Sequence, residues 1–123
     1  MESILTSIKK LLGIAEQYEH FDTDIIIHIN SAFMTVTQLG VGPSKGFSIK
    51  DKTAIWSDFI PEDDLRFEAV KTYIYLKVRL IFDPPSNSAV IESYNRTLSE
   101  YEWRLNNAAE LSTEDDEEEQ ENV

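Results

Sequence analysis

The chain has 123 residues, 41% of them hydrophobic and 28% charged, which fits one ordinary globular domain with a modest core. No apolar run approaches a membrane span, the N-terminus carries no signal-peptide core, and the lack of cysteine excludes disulfides and thiolate chemistry. The net charge of −12 is uneven: Glu114, Asp115, Asp116, Glu117, Glu118, Glu119 and Glu121 carry seven negatives, and without them 16 acidic side chains face 11 basic ones. Phosphate contacts need clustered Lys and Arg, so this balance argues against a grip on nucleic acid.

A first helix is predicted from Ser3 to Leu12, with Ile4, Ile8 and Leu11 on one face and Leu5 and Leu12 beside them. Gly13 suits the left-handed position after its end, Ile14 the hydrophobic contact that accompanies such an ending, and Lys9 and Lys10 the last turn. Phe21-Asp22-Thr23-Asp24 opens a second helix, with Asp22 or Thr23 as N-cap. Ile25, Ile29, Ala32, Phe33 and Val36 recur along it at helical spacing, and Gly40 ends it.

From Val41 to Ile60 the periodicity fails. Gly42, Pro43 and Gly46 break the chain, and Lys45, Lys50 and Lys52 make it locally positive. The expectation is an irregular loop, or a short hairpin of Phe47–Ile49 with Ala54–Trp56. Such long unpatterned loops are uncommon in compact domains and are usually functional or mobile. This one also carries Phe47, Trp56 and Phe59, which either plug it onto the core or face a partner.

A long central helix is predicted over about 61–83. Pro61 is pre-set for a first helical turn, Glu62, Asp63 and Asp64 suit the positive end of the dipole, and Pro84-Pro85 stops the run. At about 100° per residue, Leu65, Ala69, Tyr73, Leu76 and Leu80 share one sector. Phe67, Val70, Ile74, Val78 and Ile81 share a second. Two apolar stripes call for two neighbours, supplied either by the chain's other helices or by another subunit.

After turn and cap material at Ser86-Asn87-Ser88, a fourth helix is predicted from about Ala89 to Glu110. Its stripe is Val90, Tyr94, Leu98, Tyr101, Leu105 and Ala108, and Trp103 projects from the opposite side. The expected fold is therefore all-α, a small bundle of four main helices around the central one. It occupies residues 1–112, with a disordered acidic tail at 113–123 that has nothing to bury.

No catalytic, cofactor or metal constellation is legible. His20 and His28 straddle a helix start without other ligands at hand, and helix-end charge explains Glu62, Asp63 and Asp64. Gly40 to Gly46 resembles a phosphate loop only superficially, since no Gly-Lys-Ser/Thr closes it and a helix ends there rather than begins. No serine lies in a nucleophile elbow. The signals that remain concern surfaces: Lys45, Phe47, Lys50, Lys52, Trp56, Phe59 and Trp103 are the candidate protein-interaction residues.

Several longer strings carry a resemblance. They are Asp24-Ile25-Ile26-Ile27-His28-Ile29-Asn30, Gln38-Leu39-Gly40-Val41-Gly42-Pro43, the run V-K-T-Y-I-Y-L-K-V-R-L-I-F-D-P-P from Val70 to Pro85, and Glu100-Tyr101-Glu102-Trp103-Arg104-Leu105-Asn106. Together they resemble the head–tail connector (adaptor) family of long-tailed phages and of prophages in Gram-positive bacteria. The resemblance implies an all-helical structural protein without enzymatic activity. It implies a ring of copies beneath the portal protein, joined to a neck, stopper or tail-completion protein, in the virion and before that in the host cytoplasm. DNA would pass through such a ring without specific binding. The competing readings are an acidic DNA mimic that inhibits a nucleic-acid-binding protein, although mimics need ordered carboxylates spaced like phosphates, and another kind of small helical protein-binding module.

Overall fold

The computed structural model describes residues 2–121, with side chains described as far as residue 107. Its helices are α1 (Ile4–Leu11), α2 (Asp22–Gln38), α3 (Phe67–Phe82) and α4 (Ser88–Glu121), with a single 3-10 turn at Trp56–Asp58. The all-α expectation holds. α4 extends past the expected end near Glu110, but the side chains of Ala108 and of the acidic segment 113–123 lie outside the described residues.

The ends of α1 and α2 follow directly from local sequence. Ser3 Oγ accepts the Thr6 N–H at 3.2 Å and caps α1. At its far end Gly13 N–H donates to Lys10 O at 3.1 Å and Ile14 N–H to Lys9 O at 2.9 Å, a Schellman ending with Gly13 at φ 81°. Gly40 and Val41 repeat the pattern on α2, donating to Thr37 O and Val36 O at 3.0 and 3.2 Å.

The start of α2 departs from expectation. Neither Asp22 nor Thr23 caps it; Phe21 occupies the N-cap position without a side-chain bond. Asp22 is engaged elsewhere, pairing at 2.8 Å with the ammonium of Lys9. Lys9 is buried, and its Nζ also donates to the carbonyls of Glu16 at 3.0 Å and Tyr18 at 2.7 Å. One cation thus gathers the whole α1–α2 connection around itself.

The central helix begins six residues later than expected, at Phe67 rather than Pro61. Pro61 O accepts from Asp64 N–H and Asp64 O from Phe67 N–H, so these residues form successive turns. The Asp64 carboxylate accepts the Arg66 N–H at 2.8 Å and grips its guanidinium at 3.0 and 2.9 Å. A short acidic side chain that bonds the backbone two residues on competes with helix formation. The bond from the Arg66 guanidinium, more than the one from its backbone N–H, holds the Asp64 carboxyl below the usual carboxylate range. Leu65 is fully exposed on the turn and so leaves the sector assigned to it.

α3 packs against both α2 and α4. Val70, Tyr73, Ile74 and Val78 are completely buried and Leu76 nearly so, which means that the chain itself covers most of both apolar sectors. Ile81 stays more than half exposed. Asn87 Oδ1 caps α4 by accepting the Ala89 N–H at 2.8 Å. The α4 stripe inserts Leu98 and Leu105 into the core and rests Tyr94 and Tyr101 against it, while Val90 is left at the margin. Tyr73 Oη donates to Glu102 Oε1 at 2.7 Å, and Lys77 stands 3.8 Å from the same oxygen. This clasp fixes the register of α4 on α3.

Burial first, and then the bond to Glu102, raises the Tyr73 phenol well above its ordinary value of 10. A raised folded pKa means that the stabilisation is complete below about pH 10 and is lost as pH climbs beyond it. Tyr73→Phe is therefore expected to cost about 1–2 kcal/mol at pH 8 and to flatten the alkaline fall in stability. Urea titrations at pH 8 and above 10 measure both effects. Lys9→Met should cost about 2–3 kcal/mol in the same assay, because two carbonyls lose their donor and the Asp22 carboxylate loses its counter-charge.

Candidate protein-interaction surface

The loop between α2 and α3 is irregular, and no hairpin forms within it. Ala54 and Ile55 pair instead with the N-terminus: Ile4 N–H donates to Ala54 O at 3.0 Å, and Ser3 and Ile55 form an isolated antiparallel bridge. Asn30 on α2 holds the middle of the loop, donating through Nδ2 to Ile49 O at 2.9 Å and accepting Ile49 N–H at 2.7 Å. Its amide stands in for one residue of a neighbouring strand, so the extended segment has no second strand to recruit.

Aromatic packing completes the attachment. Phe33 of α2 lies 4.9 Å from Phe47 (edge to face), 4.7 Å from Phe59 and 6.1 Å from Trp56. Trp56 meets Phe67 of α3 edge to face at 6.3 Å. The indole Nε1–H donates to Ser7 Oγ at 2.9 Å, and that hydroxyl donates onward to Ile4 O at 3.0 Å. Gly42, at φ 86°, lets the backbone pass close under Phe59, and a Cβ there would collide with the ring.

Of the seven candidate residues, three therefore serve the interior. Trp56 and Phe59 are buried and Phe47 is half-buried against them, so these rings hold the loop in shape. Lys45, Lys50 and Lys52 are exposed but do not line one common cleft. Lys45 borders a cleft of about 410 Å³ with Met34, Gln38 and Phe47. Lys50 and Lys52 border another of about 290 Å³, where Glu19, Asp22 and Asp51 balance them. Trp103 is 68% exposed on α4, beside an Arg104–Glu100 ion pair of 2.6 Å.

A further feature was not legible in the sequence. Leu12, Ile14, Phe21, Phe82 and Asp83 line an open apolar cleft of about 370 Å³ where the ends of α1, α2 and α3 converge. The only pointer to it was Ile81, the last member of an apolar sector next to the Pro-Pro stop.

Among the described residues no group of three His, Cys, Asp or Glu side chains could hold a metal ion, and no helix is long and apolar enough to cross a membrane. His20 stacks edge to face on Phe21 at 4.9 Å, and Asp64 is committed to Arg66. What the molecule presents is contact surface: a lone tryptophan, an apolar cleft, and a loop held rigid from beneath.

Comparison with known families agrees. The model of the phage connector protein family matches residues 4–112, and the chain belongs to that family. Neither the curated proteins nor the solved structures compared with the chain gave a match.

The two tryptophans provide a clean contrast. Trp56→Ala should cost about 3–5 kcal/mol of folding stability, as truncation of a buried aromatic does. Trp103→Ala should stay within about 0.5 kcal/mol of the parent protein. Chemical denaturation followed by circular dichroism separates them, and equal losses would place Trp103 in the core.

Proposed function

We propose that this chain is a structural head–tail connector (adaptor), forming a ring beneath the portal that joins the capsid to the neck or tail and borders the DNA exit channel. The observation that carries the reading is the family match over residues 4–112, which takes in α1, α2, the loop, α3 and the core-forming part of α4. The family is structural rather than enzymatic, and its members are virion components.

The physical features support it. A ring subunit must hold its shape while offering separate lateral surfaces, and the rings of Phe47, Trp56 and Phe59 stiffen a loop that carries Lys45, Lys50 and Lys52 outward. Trp103 offers an anchor of the kind that dominates protein interfaces. A net charge of −12 discourages adhesion to phosphate, which suits a channel through which DNA must slide. The partners on this reading are the portal, a neck, stopper or tail-completion protein, and further copies of the chain.

Negative-stain imaging of the purified protein mixed with its portal tests this directly. The expected result is an added annular layer on the portal's outer end, with no retention of the chain on duplex DNA at about 0.1 M salt. Absence of the layer, together with salt-sensitive capture by a basic DNA-binding protein, would instead support the DNA-mimic reading.

A further inference from the structure

The cleft at the converging ends of α1, α2 and α3 is aromatic and open. Phe21 and Phe82 meet there edge to face at 5.3 Å. Leu11 and Ile81, each adjacent in sequence to a lining residue, are more than half exposed. On α4, Trp103 stands out on the side opposite Leu98 and Leu105. An indole buries roughly 150–250 Å² when it finds cover, so each feature is what the other needs.

They cannot meet within one chain. Glu102, the neighbour of Trp103, is tied to Tyr73. Phe82 lies nine residues further along α3, roughly 13 Å away at the helical rise. We infer that the cleft receives Trp103 of a second copy of this chain.

Charge supports that choice of occupant. Arg104 follows Trp103, and Arg96, seven residues earlier, shares its face of the helix. The cleft is rimmed by Asp83, whose carboxylate is 59% exposed and only loosely paired with Arg79 at 3.8 Å. The chain leading from Ile14 to Phe21 adds the exposed Glu16, and the Lys9 ammonium that reaches this chain is buried and already paired with Asp22. Asp83 also offers an acceptor to the indole N–H. Arg104 is held by Glu100 at present, but both are largely exposed, and exchanging such a surface pair costs little.

Because knob and cleft occupy different surfaces, the contact is head to tail. It adds copy after copy and closes into a ring when the rotation per copy allows. The inference rests on the connector reading and specifies which surfaces would join neighbours in the ring.

The absence of cysteine permits a disulfide test on the full chain. Ala15→Cys places a thiol beside the cleft and Asn106→Cys places one a turn from Trp103, both at exposed positions. Copper-phenanthroline oxidation traps even short-lived contacts. The double variant should give a ladder of dimers, trimers and larger species on a non-reducing gel, while each single variant stays largely monomeric. Adding Trp103→Ala should weaken the ladder about tenfold or more.

The contact is overturned if no ladder forms, if the ladder survives Trp103→Ala, or if Asn106→Cys alone dimerises as readily as the pair. Association with the portal is scored separately. Copies that join the portal without laddering overturn this contact and leave the connector reading standing. Copies that ladder but never join the portal do the opposite.

Discussion

The position of Trp56 is the constraint on which much of the fold depends. It sits in a 3-10 turn of only three residues, too short to hold a place by its own hydrogen bonds. Its indole reaches Ser7 of α1, its ring approaches Phe33 of α2, and its edge meets Phe67 at the start of α3. Three helices therefore share one side chain. Because the indole N–H is satisfied by a buried hydroxyl, the loop enters the core without stranding a polar group. The loop is irregular in path but fixed in position, and it fixes where α3 begins.

With α3 so placed, its two apolar faces are covered by α2 and by α4, and the Tyr73–Glu102 clasp sets the register of the latter. This arrangement places the interior of the bundle beyond the reach of any partner. Among the described residues, the large apolar side chains left exposed are peripheral: Ile27 and Met34 on α2, Leu65 on the turn before α3, Trp103 on the outer side of α4, and those around the aromatic cleft.

Elements with a local cause were readable from sequence. The Gly13 and Gly40 endings, the Asn87 cap, the interior of α3 and the outward direction of Trp103 each follow from a motif or a period. Elements whose cause lies in tertiary contact were not. Asp22 looks like an N-cap until Lys9 arrives from α1 to claim it. Asp64 reads as helix-dipole charge, but its bonds to Arg66 make a turn, so α3 starts at Phe67. Trp56 and Phe59 looked as suited to a partner as to the core, because an aperiodic stretch carries no signal of which way its side chains face. The lining of the apolar cleft comes from three helix ends that only the fold brings together.

The balance between core and surface also bears on how a ring would arise. Burying one tryptophan is worth roughly 2 kcal/mol or more as a hot spot, whereas association of two free proteins costs an estimated 4–15 kcal/mol in lost translational and rotational freedom. A single head-to-tail contact of this kind is therefore short-lived in dilute solution, populated enough for a disulfide to trap it but not enough to hold copies together without one. The same contact becomes effective once each copy is held beside its neighbour on a larger platform, because the second binding event is then governed by effective concentration. Peripheral, modest and charge-assisted contacts thus favour copies that remain apart when free and close together on a scaffold. On the connector role proposed above, that behaviour lets the chain join one structure at one place and not polymerise on the way there.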